Sequence, residues 1–128
     1  MPADRRDFMI AVATTGAAAL SLPLPGLAQP GNAMYGLIGK MRTAPGKRDA
    51  VVALLLEGTK DMPGCRSYIV AHDPADADAI WITEAWDSKE SHKASLALPG
   101  VQKAIGQARP MIAGFGERFE TMPVGGQF

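Results

Sequence analysis

Hydrophobic and polar residues follow six successive patterns between residues 34 and 122 of the chain. Apolar side chains three or four positions apart predict a helix over residues 49–60. A second helical stretch is expected to be capped by Asp87, interrupted at Pro99 and ended by Pro110. The other four segments carry the alternating, β-branched or aromatic pattern that is typical of strands. They are residues 34–42, 65–72, 79–86 and 115–122.

The order of these segments is strand, helix, strand, strand, helix, strand, which predicts a ferredoxin-like βαββαβ fold of the α+β class. Two helices would cover one face of the four-stranded sheet and leave the other face open. The large apolar strand residues are too many to lie against the helices alone, and they include Tyr35, Leu37, Tyr68, Trp81 and Phe119. We therefore expect two chains to pack their sheets face to face in a symmetric homodimer.

The first 28 residues have the three parts of a bacterial signal peptide. Arg5 and Arg6 form a charged start, and a weakly apolar stretch follows over residues 9–22. Residues 26–28 then place small side chains around a cleavage site. The paired arginines, followed by Phe8, resemble a twin-arginine signal. The alternative is an uncleaved amphipathic N-terminus that contains an arginine pair by chance.

A twin-arginine signal implies export of a folded protein to the periplasm or the cell exterior. On this interpretation, the chain has four parts. They are a signal peptide over residues 1–28, a linker over 29–33, the folded domain over 34–122 and a flexible tail over 123–128. After signal cleavage no stable membrane insertion is expected, because the domain lacks a basic amphipathic helix.

Charge and cysteine content narrow the possible partners and cofactors. The chain has 13 basic and 13 acidic residues, and 11 of each are left when the first 28 residues are removed. A neutral domain without a basic stripe gives no electrostatic reason to bind nucleic acid. Cys65 is the only cysteine, and the two histidines lie far apart in the sequence, so neither a disulfide nor a metal site is expected within one chain.

Two motifs give the domain a resemblance to a known family. Residues 62–68 read Met-Pro-Gly-Cys-Arg-Ser-Tyr, and residues 84–90 read Glu-Ala-Trp-Asp-Ser-Lys-Glu. They resemble the P-G-C-x-x-Y and E-x-W-x-S-x-E motifs of the antibiotic biosynthesis monooxygenase family, in the same order along the chain. The resemblance covers about residues 34 to 122. It implies a dimeric α+β barrel that oxidises quinols or aromatic polyketides with molecular oxygen and without a cofactor.

The sequence departs from this family at several positions. Members commonly carry a histidine nine residues after the tryptophan of the second motif, where this chain has Ser95, and often another where it has Gly100. One branch degrades haem with an asparagine, a tryptophan and a histidine. The corresponding positions here are Gly39, Ser95 and Ile105, and none matches, so haem degradation is disfavoured.

Cofactor-free oxidation of a phenol needs a base for the phenolic proton and a pocket that excludes water. His72 is one candidate base, since it alternates with Tyr68 and Val70 and its ring would then face a pocket that Tyr68 lines. The alternative is a solvent-facing histidine beside the following turn. His92 lies among Lys89, Glu90 and Lys93, and we expect it on the surface.

Glu84 is the second candidate base, two residues from Trp86 and therefore on the same face of its strand. Its alternative role is a structural ion pair with Arg118 or Arg66. Tyr68 and Trp86 are candidate substrate contacts, although Trp86 could equally anchor the core. Ser95 could donate a hydrogen bond to substrate or could simply be a surface serine.

These expectations combine into two functional hypotheses. The first is an exported, cofactor-independent monooxygenase that oxidises a quinol or related aromatic with molecular oxygen. The second is a non-catalytic or stress-associated dimeric barrel that holds a small apolar ligand. His72→Ala distinguishes the two hypotheses: it should abolish turnover under the first, and change ligand binding little or not at all under the second.

Overall fold

The computed structural model describes residues 33–128 of the chain, which contain four strands, three α-helices and a 3₁₀ turn. The predicted signal peptide and the linker up to residue 32 lie outside the described residues. The elements are β1 (Tyr35–Thr43), α1 (Arg48–Gly58), β2 (Cys65–His72), β3 (Ala79–Trp86), α2 (Lys89–Ser95), α3 (Pro99–Ala108), a 3₁₀ turn (Arg109–Met111) and β4 (Ile112–Thr121).

The four strands form one antiparallel sheet in the order β2-β3-β1-β4. This order confirms the ferredoxin-like α+β fold, with the second helical stretch divided into α2 and α3 at Pro99 as expected. β4 begins at Ile112, three residues before the predicted start. Ile112 pairs with Thr43, the last residue of β1. The pairing of these ends extends the strand beyond its clearest alternating segment.

The helices cover the face of the sheet that carries Tyr35, Leu37 and Trp86. Strand register places these side chains together, because Tyr35 pairs with Trp86 and Leu37 pairs with Glu84. One part of the core surrounds Trp86 and includes Val101 of α3. The other part joins helix residues to strand residues, and its buried members are Val51, Leu55, Ile80, Ile82 and Ala108.

The opposite face of the sheet has no helix from the described residues against it. Ile69 and Phe119 each keep 55% of their surface exposed there. Trp81 also lies on this face, opposite to Trp86, as the odd spacing of the two tryptophans predicts. Its indole nitrogen donates a hydrogen bond to Asp73 (2.9 Å), which also pairs with Lys40 at 3.4 Å.

A tight turn before β2 sets the position of α2. Gly64 has a φ of +84°, which favours glycine, and a Cβ there would lie 2.6 Å from the Cβ of Ser91. The Gly64 carbonyl accepts a hydrogen bond from the backbone N–H of Asp87 at 2.8 Å. Asp87 was predicted to cap the helix, but Ser88 is the N-cap and its hydroxyl accepts from the Ser91 N–H. Because the backbone of Asp87 is bound to Gly64, the helix starts after it.

The last residues of the chain, 122–128, form no helix or strand. The aromatic ring of Phe128 lies 5.6 Å from the guanidinium group of Arg66 on β2. Within residues 33–128, no helix is long and apolar enough to cross a membrane.

Candidate functional site

A cluster of polar and aromatic side chains lies between α2 and the end of the sheet where β1 and β3 pair. Glu84 and Trp86 come from β3, Tyr35 from β1 and His92 from α2. The pairing of Tyr35 with Trp86 brings the two strands together here, and the short turn after β3 folds α2 back over them. We call these four residues the Glu84 cluster.

Glu84 is the acidic member of the cluster and is largely buried. One of its oxygens, Oε1, accepts a hydrogen bond from the Trp86 indole nitrogen at 2.8 Å and lies 3.9 Å from His92 Nε2. Tyr68 is its cross-strand neighbour on β2. Burial raises the pKa of the Glu84 carboxyl group, while the indole hydrogen bond and the positive charge of Arg118 act in the opposite direction. Such a carboxylate is a stronger base than one in water.

His92 packs between two aromatic rings and is only 5% exposed. Its ring centroid lies 5.3 Å from that of Tyr35 and 5.5 Å from that of Trp86, in an edge-on arrangement with the latter. Burial lowers the pKa of His92 to about 4, and the charge of Arg118 acts in the same direction. The ring is therefore neutral at pH 7. Its Nδ1 atom is buried and makes no hydrogen bond to the described residues.

Tyr35 connects the cluster to the protein surface. Its hydroxyl donates a hydrogen bond to Glu120 Oε2 at 2.5 Å. Lys89 lies 3.8 Å from the same oxygen and 5.7 Å from the Tyr35 ring. Burial and the hydrogen bond to Glu120 raise the pKa of Tyr35 far above its ordinary value, so the phenol keeps its proton at neutral pH. Burial likewise raises the pKa of Tyr68.

Two of the five predicted site residues, Glu84 and Trp86, belong to the Glu84 cluster, and a third, Tyr68, lies beside it as the cross-strand neighbour of Glu84. Trp86 is a core residue that also donates a hydrogen bond to Glu84, so its role as a core anchor is confirmed, and its contact with substrate stays a prediction. Arg118, and not Arg66, is the arginine whose charge acts on the pKa of Glu84.

His72 and Ser95 differ from what the sequence suggested about their surroundings. The His72 side chain is 53% exposed, and its Nε2 lies 3.7 Å from Asp49 on α1. It pairs with Ile80, four residues along β3 from Glu84, which is roughly 13 Å at the usual strand rise. The structure therefore does not bring His72 to the Glu84 cluster. Ser95 is buried, and its hydroxyl donates to the His92 carbonyl at 2.6 Å, so it is not a surface serine.

His92 and Tyr35 are members of the cluster that the sequence analysis did not select. The expectation of a surface position for His92 is wrong. Its charged sequence neighbours suggested a solvated helix face, and a helix of only seven residues is too short for an apolar period to show which face is buried. The buried polar residues of α2 are His92 and Ser95, three positions apart and so on one face. That spacing, counted from the Ser88 cap, is the signal that could have found them.

A metal centre is not formed by the residues described. Between residues 33 and 128, no group of three or more His, Cys, Asp or Glu side chains is placed to hold a metal ion. Cys65 begins β2 half-buried, packs against the core around Trp86 and has its pKa raised by burial.

Comparison with known proteins identifies the family of this domain. The family model of the antibiotic biosynthesis monooxygenases matches residues 34–107, more than half of the 128-residue chain. A solved structure from Chloroflexus aurantiacus, assigned to the same family, shares 66% sequence identity with a TM-score of 0.73. The alignment covers 75% of this chain and 98% of that one. No curated protein matches the chain.

Structures with much lower identity show the same fold. A Nitrosomonas europaea protein has 14% identity and a TM-score of 0.62, covering 76% of this chain and 94% of its own. A Caulobacter crescentus protein has 18% identity and a TM-score of 0.58, covering 72% of this chain and 89% of its own. Both are assigned to the same group of monooxygenases. With the family-model match and the strand order, these findings show that the chain belongs to the antibiotic biosynthesis monooxygenase family.

Proposed function

We propose that the domain is a cofactor-independent monooxygenase that oxidises a quinol or related electron-rich aromatic with molecular oxygen. The observation that supports this most directly is the environment of Glu84. A buried carboxylate with a raised pKa, held by the Trp86 indole among aromatic rings, is suited to remove a phenolic proton. The family assignment supports oxygenase chemistry, and the base in this proposal is Glu84.

The substrate supplies all four electrons that O₂ takes up in the reaction. Glu84 takes the phenolic proton, and the resulting anion reduces oxygen and forms a carbon–oxygen bond with it. Cleavage of the oxygen–oxygen bond leaves one atom on the ring as a quinone carbonyl. The other atom leaves as water with two hydrogens of the substrate. A dihydroxybenzene and O₂ thus give a hydroxyquinone and H₂O, with all atoms balanced.

The protein would contribute a base, a dry site and fixed neighbours. The Trp86 indole orients the carboxylate, and the positive charge of Arg118 opposes the rise in the Glu84 pKa that burial causes. The rings of Tyr35, Tyr68 and His92 limit the access of water, which protects the anion and the oxygen adduct from competing protonation.

Oxygen uptake by the mature domain against a panel of quinols and polycyclic phenols tests the proposal. Glu84→Gln keeps the size and the hydrogen-bond acceptor of the side chain but removes the base, so turnover should fall by roughly 10²–10⁴-fold. His72→Ala is the matched control, since this histidine is exposed and outside the cluster. Full activity in Glu84→Gln would refute the assignment of the base. No uptake by the wild type across the panel would instead support a non-catalytic barrel.

The proposal includes a homodimer formed through the open face of the sheet. Members of this family are typically dimeric. Ile69 and Phe119 expose large apolar surfaces on a face that no helix of the described residues covers. A second copy of the same face would remove both from water.

Export by a twin-arginine signal is the remaining part of the proposal, and it rests on residues 5–28 of the sequence. Replacement of Arg5 and Arg6 by lysine should retain the protein in the cytoplasm of a bacterial host. Cell fractionation and N-terminal sequencing of the exported product would test this. Unchanged export of the double-lysine variant would contradict a twin-arginine route.

A further inference from the structure

The buried Nδ1 atom of His92 has no hydrogen-bond partner among the described residues, although the side chain is only 6% exposed. Buried polar atoms are nearly always hydrogen-bonded, because an unsatisfied one loses its bond to water without compensation. The atom belongs to a ring that lies directly against Tyr35 and Trp86, within the Glu84 cluster. The same ring lies 3.9 Å from Glu84 through its Nε2 atom, so a ligand bound at Glu84 would lie beside this ring.

The neighbours of His92 determine which kind of partner Nδ1 requires. Nε2 lies 3.9 Å from Glu84 Oε1, a hydrogen-bond acceptor, which favours the tautomer with the proton on Nε2. The ring is neutral, since burial and the charge of Arg118 lower the pKa of His92. In the tautomer with the proton on Nε2, Nδ1 carries a lone pair and can only accept a hydrogen bond. The missing partner is then a donor, such as a hydroxyl group.

We propose that His92 Nδ1 accepts a hydrogen bond from a second hydroxyl group of the aromatic ligand, while the first hydroxyl group faces Glu84. This inference rests on the proposed function for the nature of the ligand. It makes His92 a substrate-binding residue and predicts that the site prefers dihydroxy aromatics to monohydroxy ones. A site built to bond a hydroxyl group discriminates against an analogue without it, because the buried acceptor is then left unsatisfied.

Anaerobic binding measurements with matched ligand pairs test this inference without any turnover. The pairs are catechol, resorcinol and hydroquinone, each compared with its mono-methyl ether, which lacks the second donor. In the wild type, at least one diol should bind about 3–10-fold more tightly than its ether, the range expected for one hydrogen bond. His92→Phe keeps a buried ring but has no acceptor, so this preference should disappear.

A second pair of variants separates binding from packing. His92→Asn places an amide near the position of Nδ1, whereas His92→Gln places it nearer to Nε2. Asn should restore part of the preference for the diol and Gln should not, provided that thermal unfolding shows both variants folded.

Two results would overturn the inference. One is equal binding of every diol and its ether by the wild type, and the other is an unchanged preference in His92→Phe. The proposed function fails in a different experiment, if the wild type shows no oxygen uptake with any substrate of the panel. The monooxygenase proposal survives if uptake depends on Glu84 but the binding preference does not depend on His92.

Discussion

Mild acid should destabilise this domain through His92. The imidazole has a pKa of about 6.5 in an unfolded chain, and burial lowers the pKa of His92 to about 4 in the folded one. Between these values the unfolded state binds a proton that the folded state excludes. The free energy of unfolding therefore falls as the pH is lowered from about 6.5 towards 4.

The size of the effect follows from the two pKa values. A difference of about 2.5 pH units corresponds to about 3.4 kcal/mol at 1.36 kcal/mol per unit. Relaxation of the site and screening by solvent reduce this to roughly 1–2 kcal/mol. Glu84 opposes the trend, because its raised pKa lets the folded state take up a proton as the pH falls. The clearest observable is therefore a comparison between the wild type and His92→Phe.

Urea unfolding at pH 7, 6, 5 and 4.5 provides the measurement. We expect the wild type to lose about 1–2 kcal/mol more than His92→Phe between the first and last of these pH values. Carboxylates distant from residue 92 contribute equally to both proteins and cancel in the difference. Parallel curves for the two proteins would show that His92 is not held neutral by burial and would refute the reasoning.

Three further perturbations test the turn, the carboxylate and the open face. Gly64→Ala should lower the free energy of unfolding by about 2 kcal/mol or more, measured by thermal unfolding. Gly106→Ala, in an unobstructed helical position, should raise the free energy of unfolding by about 0.5–1 kcal/mol, and equal effects of the two substitutions would contradict the steric argument. Trp86→Phe removes the indole hydrogen bond that lowers the pKa of Glu84, so the acidic limb of the pH–rate profile should move to higher pH. An unmoved limb would contradict this role of the indole. Phe119→Glu should convert a dimer into monomers in sedimentation, while Leu56→Glu, also exposed but on α1, should not; a dimer that persists would exclude this face.

The sequence predicts the fold well because its strands and helices carry distinct periods. β2 and β3 have the predicted bounds residue for residue. Each has a centre of β-branched and aromatic residues between turn signals, residues 68–70 in β2 and 80–83 in β3, a pattern that is typical of strands. The opposite faces of Trp81 and Trp86 follow from strand geometry alone.

The site is only partly predictable, because its members come from elements that meet through tertiary register. Glu84 and Trp86 share one strand, so their common face could be read from their spacing. Tyr35 joins them only through the register of β1 against β3, which no local pattern encodes. His92 faces inward on a helix too short to show a full period, and His72 shares the face of Tyr68 but lies at the far end of its strand.

The two motifs that first suggested the family act as one structural unit. Gly64, from the first motif, makes its left-handed turn against Ser91 and accepts a hydrogen bond from Asp87 of the second. Ser88 then caps α2, and the direction of that helix carries His92 over Glu84. A side chain added at residue 64 would push α2 away from β3. Gly64→Ala should therefore lower oxygen uptake as well as stability, even though Gly64 provides no chemistry of its own.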